Sequence, residues 1–305
     1  MVKTTGMSDL NKSNIAESFR SLQQEIVDAL TRSDGSVHFT SDDWERTLGG
    51  GGCTKTASGG RYIEKGGVAF SEVFGEVTPS MAKQLNIQAN SFFATGVSIV
   101  IHSQNPCHPT IHMNVRYFET DQEECWFGGG IDLTPMYVDK NYAKAFHLEL
   151  KKLCDSYRSE WYTSFKNWAD DYFYLEHREE TRGVGGIFFD HLKPKDGKEK
   201  HDFFSFCIAL GRLFPSLYHN QISKPVNDAS EHEKKWQALR RGRYVEYNLL
   251  FDRGTKFGIA SNGRTESILL SMPPVANWEY MHNPEVGTEE WKTLQLLRKG
   301  IDWIS

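Results

Sequence analysis

The chain has 305 residues, 39% hydrophobic and 25% charged, enough to bury a real core in one large domain or two small ones. Its net charge of −5 offers no basic footprint for nucleic acid or an anionic membrane, and no apolar run reaches the length of a bilayer span. Five scattered cysteines without a CxxC pair argue against a disulfide framework and a structural zinc site. They favour a reducing compartment. Met1 to Asn14 shows neither a signal-peptide core nor an Arg-rich transit pattern, so a cytoplasmic location is expected. Aromatics are high at 13%, which suits a flat, partly apolar ligand or a large core.

Residues 1–13 are expected to be a flexible N-terminus. Asn14 with Glu17 reads as a capping box. Ile15, Phe19, Leu22, Ile26, Ala29 and Leu30 then recur at helical spacing, predicting a helix over 14–32. A glycine-rich stretch runs from Gly49 to Gly67. From Phe92 to Glu119 the period becomes two, broken between Ser103 and Thr110, which predicts a hairpin with a long loop. Cys125 to Leu133 reads as a third strand. Asp139 caps a helix with the stripe Tyr142, Phe146, Leu150, Leu153, Tyr157 and Trp161, continuing as Trp161 to Leu175. Lys193 to Lys200 reads as a charged loop, 203–218 and 229–240 as helices, Tyr244 to Phe251 and Glu266 to Met272 as strands, and Thr288 to Gly300 as a capped terminal helix. With no repeat and no low-complexity linker, one α+β domain over 1–305 with a mainly antiparallel sheet is the economical reading.

Several motifs fail on inspection. Gly49 to Thr56 resembles a phosphate loop, but Thr54 stands where a glycine must precede Lys55. His108 and His112 have the spacing of a zinc-protease helix, but Pro109 lies between them and no Glu follows His108. No nucleophile elbow and no dinucleotide fingerprint occurs.

Strand parity is more informative, because successive side chains point to opposite faces. Val97, Ile99 and Ile101 share one face of their strand, and Met113, Val115 and Tyr117 one face of the next. Pairing those apolar faces gathers Ser98, His102, His112, Asn114 and Arg116 on the other. Asp132 falls in register with Gly128 and Gly130, whose missing side chains would let something flat approach the backbone. A merely wet face would carry Lys, Glu and Thr rather than this set. Two further clusters supply cations. Arg178 and Arg182 are four apart in Tyr172 to Asp190 and suit forked carboxylate recognition or, equally, a surface salt-bridge network with Glu179 and Glu180. Asn262-Gly263 is a turn signal followed by Arg264. Several arginines near a glycine-lined face imply a large ligand with more than one carboxylate.

The segments FFATGVSIVIHSQNPCHPTIHMNVRYFE, CWFGGGIDLTP, YFYLEHREETRGVGGIFFD and YNLLFDRGTKFGIASNGRTESILLSMPP resemble the oxygen-dependent coproporphyrinogen III oxidases of haem biosynthesis. The resemblance runs from the Gly49 region to about Tyr280. It implies a large antiparallel sheet flanked by helices on both faces, and a homodimer with Tyr244 to Glu279 in its interface. It implies oxidative decarboxylation of two propionates of coproporphyrinogen III to vinyl groups, with O2 as co-substrate. Protoporphyrinogen IX, CO2 and hydrogen peroxide would be the products, with no redox cofactor required. An electron-rich porphyrinogen can itself reduce O2, leaving the protein to supply position, a base and charge stabilisation.

Carried over to this sequence, the resemblance makes Asp132 the holder of the pyrrole N–H groups and a candidate base. Arg116 becomes the partner of a propionate or developing anion, and His112 a proton donor. Ser98, Asn114, Val115, Arg178, Arg182, Asn262, Gly263 and Arg264 become substrate contacts. Asn262 stands where many members carry glycine, a change that a left-handed turn tolerates. A metal set suggested for some members would be His102, His112, His147 and His177 here; no metal is expected. Two rivals are a metal-dependent oxygenase using those histidines, which would not survive chelation, and a non-catalytic tetrapyrrole carrier, which would not need Asp132.

Overall fold

A computed structural model describes residues 10–260 and 263–305. Its frame is a seven-stranded antiparallel sheet built from β1 (Phe39–Glu45), β2 (Gly50–Ser58), β3 (Ile63–Glu76), β4 (Ser91–Ser103), β5 (Thr110–Thr120) and β6 (Cys125–Thr134). These strands pair in chain order, with the short helix α2 (Pro79–Leu85) between β3 and β4. Two helices, α3 (Lys140–Asp155) and α4 (Trp161–Tyr172), and a two-strand ribbon, β7 (Tyr174–Leu175) with β8 (Glu180–Thr181), precede β9 (Gly186–Leu192). The last strand closes the sheet beside β6.

Register follows from the alternation. Val97 opposes Val115, Ile99 opposes Met113, and Ile101 opposes Ile111, with Ile131 and Leu133 continuing the same rows on β6. All of these belong to one buried apolar cluster. That cluster also takes in the apolar stripes of α1 (Lys12–Asp34), α3 and α5 (Gly197–Ile222). In α1, Ile15, Phe19, Leu22, Ile26 and Leu30 are buried at helical spacing. Gly211 lets α5 approach α1, since a Cβ there would lie 2.4 Å from Leu22 Cδ2. The opposite face meets α6 (Glu231–Leu250), whose Tyr244 packs edge-on against His102 of β4, α8 (Thr265–Ile268), whose Ser267 hydroxyl lies 3.1 Å from that of Thr54 on β2, and the 3-10 turn Leu269–Ser271; α7 (Arg253–Ala260) packs on α6 and α8. Leu270 of that turn sits over Gly67 of β3, and Lys65 donates to the Met272 carbonyl at 2.7 Å. Helix α9 (Glu289–Leu296) follows near the chain end. Helices thus cover both faces of the sheet. No helix among the described residues is long and apolar enough to cross a membrane.

The structure departs from the sequence expectation at several ends. Helix α1 begins at Lys12, capped by Asn11, whose side chain accepts from the Asn14 backbone N–H at 3.0 Å. Residues 12 and 13 are therefore helical, and residues 1–9 lie outside the described range. The glycine-rich stretch forms β2 and much of β3. The long aromatic helix is two helices, α3 and α4, with Tyr157 in the break between them. The charged loop ends early, because Asp196 caps α5 and accepts from the Glu199 N–H. Helix α9 stops at Leu296.

Contrary to the strand expectation, Tyr244–Phe251 and Glu266–Met272 are not strands. A Ser230/Glu233 capping box starts α6, and the helix runs on to Leu250. Tyr244, Tyr247 and Asn248 are buried at spacings of three and four, a helical period that overrides their strand-like composition. Residues 266–271 form α8 and the 3-10 turn.

Ile131 is fully buried between β5 and β9. Ile131→Ala should lower the unfolding free energy by about 2–5 kcal/mol, read in urea unfolding at unchanged m-value. A loss well below that range would mean this sheet face is not the core.

Candidate active site

The register gathers the polar residues as parity requires. On one face, Val100, His112 and Asp132 form one cross-strand row, Ser98, Asn114 and Gly130 a second, and Gly96, Arg116 and Gly128 a third. Continued toward the other edge, the Ser98 row reaches Ala69, Thr54 and Asp42, and the Gly96 row reaches Ser71, Gly52 and Trp44. Ala69, Ser71, Gly96 and Ser98 therefore make a strip of small side chains in the middle of this face. Ser98 is exposed, and the other three are partly so.

At one end of the strip the face is roofed. Asp132 is 2% exposed and Arg182 is also 2% exposed. Arg182 Nη2 donates to Asp132 Oδ1 at 2.6 Å and its Nε to Oδ2 at 3.0 Å, a bidentate pair. Arg182 Nη1 donates to Asn248 Oδ1 of α6 at 3.1 Å. The guanidinium lies 4.4 to 4.8 Å from the rings of Phe173, Tyr244 and Tyr247, close enough for cation–π attraction. Burial by itself would raise the Asp132 carboxyl, but the Arg182 charge and the His112 hydrogen bond outweigh it and hold the carboxyl below its ordinary range. Arg182 is held charged in the same way.

His112 connects this buried pair to the open strip. Its Nδ1 lies 2.8 Å from Asp132 Oδ1 and 3.2 Å from Arg182 Nη2. An ionised carboxylate can only accept, so Nδ1–H donates to Asp132. This fixes the tautomer and leaves Nε2 without a hydrogen bond to any described residue.

Arg116 stands two residues along β5. Its Nη1 donates to Asn114 Oδ1 at 3.0 Å, and its Nη2 lies 3.0 Å from Asp190 Oδ2 of β9. The side chain is 40% exposed. Gly128 serves this ion pair: a Cβ there would lie 2.6 Å from Asp190 Oδ1 and 2.8 Å from Arg116 Nε. A Cβ at Gly130 would crowd the Ile187 carbonyl and Phe188. These glycines therefore accommodate protein atoms, and the accessible small-residue surface of this face is instead the Ala69, Ser71, Gly96, Ser98 strip.

Other expected residues lie elsewhere. Val115 points into the apolar core and offers the polar face no side chain. Arg178 and Arg182 share no helical face. Arg178 ends the 3-10 turn Glu176–Arg178 and forks onto Glu246 at 2.7 and 2.9 Å. It takes part in a salt-bridge network through Glu246 rather than Glu179 and Glu180. Arg182 is committed to Asp132, so neither arginine is a free carboxylate receptor. Arg264 pairs with Asp42 on β1, with its Nη1 lacking a described partner. Asp42 is four strand spacings, roughly 19 Å, from β5. The Gly263 N–H donates to the Gly258 carbonyl. Asn262 lies outside the described residues.

The four histidines do not converge. His102 donates from Nε2 to the Ser271 carbonyl and accepts at Nδ1 from Thr110. His147 lies in the cover of the opposite face, donating to the Val184 carbonyl and accepting from Tyr162. His177 pairs with Glu246. Among the described residues, no group of three or more His, Cys, Asp or Glu is arranged to hold a metal.

Residue patterns alone do not reveal Asn248, Tyr244 and Tyr247 of α6, or Phe173 at the end of α4, as the cage of Arg182, since the composition of 244–251 reads as strand and Phe173 meets Arg182 only through the fold. The helical spacing of Tyr244, Tyr247 and Phe251 was the available signal. Ala69 and Ser71 were also missed, although they alternate with the buried Val68 and Phe70.

Arg182→Leu strands a buried carboxylate, so stability should fall by about 3–5 kcal/mol. The double change Arg182→Leu with Asp132→Leu should recover part of that; strictly additive losses would contradict the pair. Burial pushes His102 down to about 3 and His147 down to about 4, against an ordinary 6.5. Between those values the unfolded chain binds protons that the folded chain refuses, so stability falls as pH drops through that window. The slope should reach up to about 1.4 kcal/mol per pH unit for each histidine. His147→Asn should show a shallower slope, and an equal slope would contradict this.

The family model described as coproporphyrinogen III oxidase matches residues 14–303. The human mitochondrial oxygen-dependent coproporphyrinogen-III oxidase is 44% identical over 297 residues, covering 92% of this chain and 65% of the human protein. The soybean chloroplastic enzyme is 43% identical over 301 residues, covering 93% of this chain and 77% of that protein. Coproporphyrinogen-III oxidase 1 of Arabidopsis thaliana, also chloroplastic, is 42% identical over 300 residues, with 93% and 77% covered. The chain thus spans just under two thirds of the human relative and about three quarters of the plant ones, and it belongs to the coproporphyrinogen III oxidase family.

Proposed function

We propose that the chain catalyses the oxygen-dependent oxidative decarboxylation of two propionates of coproporphyrinogen III, giving protoporphyrinogen IX. Each step balances as propionate plus O2 plus a proton, giving a vinyl group, CO2 and hydrogen peroxide. Two electrons pass from the side chain, activated by its electron-rich pyrrole, to O2. Family membership supports the reaction. The observation that carries the residue roles is a buried, ionised Asp132 that fixes the tautomer of His112 beside the half-exposed Arg116.

Asp132 has both carboxylate oxygens occupied. In this reading it acts through His112 and does not touch the pyrrole nitrogens. His112 exchanges the proton at Nε2, where general acid–base help is worth about 10²–10⁴-fold. Arg116 receives the carboxylate of the reacting propionate, a charge-assisted contact that orients it. Ser98, Asn114 and the small residues of β3 and β4 lie beneath the macrocycle. The substrate supplies the electrons, so no redox cofactor enters the scheme. A metal-dependent oxygenase remains the rival, and activity abolished by exhaustive chelation would favour it. A tetrapyrrole carrier would bind without turning over.

A homodimer belongs to the same proposal. Leu249, Leu250, Ile259, Val275 and Trp278 expose large apolar side chains within the 244–279 segment, a surface of the kind that protein interfaces cover. Tyr244 and Tyr247 are spent inside the chain, so the exposed residues of the segment are the ones available to a second copy. A cytoplasmic, reducing setting is also proposed, supported by five cysteines that are all free thiols.

His112→Gln should lower kcat by about 10²–10⁴-fold with a smaller change in KM, and near-normal kcat would remove His112 from the proton path. Arg116→Ala should raise KM and lower kcat, and unchanged kinetics would assign the propionate to another cation. In sedimentation, the parent should run as a dimer and Leu250→Asp as a monomer; a monomeric parent would refute the assembly.

A further inference from the structure

The arginine that awaits a carboxylate already holds one. Arg116 Nη2 lies 3.0 Å from Asp190 Oδ2 while Nη1 is engaged by Asn114. Asp190 is fixed from its own side. Its Oδ1 accepts the His191 backbone N–H at 2.9 Å, and its Oδ2 lies 3.4 Å from His191 Nδ1. His191 takes a left-handed backbone, with φ of 49°, and its ring stacks on Trp126, which stacks in turn on Phe118. Gly128 is bare beneath the pair, and a Cβ there would press on both Asp190 Oδ1 and Arg116 Nε. Strand, turn and glycine are together shaped around an Arg–Asp contact at the edge of the open strip.

We propose that Asp190 is a specificity-determining residue, an internal counter-ion that competes with the substrate propionate for Arg116. This rests on Arg116 being the carboxylate receptor. An incoming propionate must displace Asp190 or share the guanidinium with it, and two carboxylates on one cation repel each other. Binding is thereby weakened on purpose at one point. The reaction destroys the carboxylate that Arg116 holds, converting it to CO2 and leaving a neutral vinyl group. Asp190 then re-forms its pair with Arg116, so the cation is not left without an anion and the product side chain is released. Substrate and product are separated by charge at this position, and Asp190 sets how strongly.

The test uses coproporphyrin III, the oxidised macrocycle that keeps all four carboxylates and has no propionate chemistry to undergo, with binding followed by fluorescence at low salt. Asp190→Asn should bind it about three- to fivefold more tightly than the parent, and the gain should shrink as ionic strength rises. Asp190→Ser should behave alike, while Asp190→Glu restores the parent affinity. Protoporphyrin IX, with two carboxylates, should gain less. In turnover, Asp190→Asn should lower KM and also lower kcat through slower release, a split that a merely structural loss would not produce. In an Arg116→Ala background, Asp190→Asn should gain nothing. Unchanged or weaker binding by folded Asp190→Asn and Asp190→Ser, with Arg116→Ala still weakened, overturns the role of Asp190 and leaves the receptor reading standing. Unchanged binding by Arg116→Ala instead overturns the receptor reading itself.

Discussion

A bidentate ion pair between Asp132 and Arg182, almost wholly out of water, constrains everything around it. Taking two charges into a protein interior costs several kcal/mol for each unless their hydrogen bonds are completed. Here the pair draws on four parts of the chain to complete them. Asp132 comes from β6, Arg182 from the turn after β8, His112 from β5, and Asn248 from α6. Phe173, Tyr244 and Tyr247 add ring faces around the guanidinium. The consequence is an ionised carboxylate that cannot wander and a histidine whose tautomer is set.

The sheet then converts that fixed point into a site. One face carries the apolar core and is sealed by α1, α3 and α5. The other presents rows that change character across the strands. Phe188 and Asp132 lie under the roof, His112, Asn114 and Arg116 stand at its margin, and Ser98, Gly96, Ala69 and Ser71 follow as a low strip. Trp44 and the Arg264–Asp42 pair stand at the far edge. The face thus offers small side chains in the middle and cations toward both ends. The bound state of the cations matters as much as their position, because each is already paired with an internal carboxylate.

Much of this was legible from parity alone. The apolar rows of Val97, Ile99 and Ile101 against Met113, Val115 and Tyr117 dictated which residues share the polar face, since a shift of one residue would have exposed the whole apolar set. The same logic placed Val115 in the core, against the contact that the family resemblance implied for it. What periodicity could not show was pairing at long range. Nothing local tells Arg182 that its partner is Asp132, fifty positions earlier, or tells Asn248 that it completes the same network. The β-like composition of residues 244–251 hid that Tyr244, Tyr247 and Asn248 descend from one helix face. Gly128 and Gly130 were visible as an absence of side chains, but whether ligand or protein fills that space depends on β9, which joins the sheet only after two helices.

In the proposed reaction the substrate itself reduces O2 while this site positions it and moves protons. Its most direct test is a stoichiometric assay with coproporphyrinogen III in chelator-treated buffer, following O2, CO2, vinyl groups and hydrogen peroxide together. One O2 should be consumed and one peroxide formed for each CO2 released and each vinyl group made, with no turnover when O2 is removed. Vinyl formation without O2, or turnover without peroxide, would contradict it.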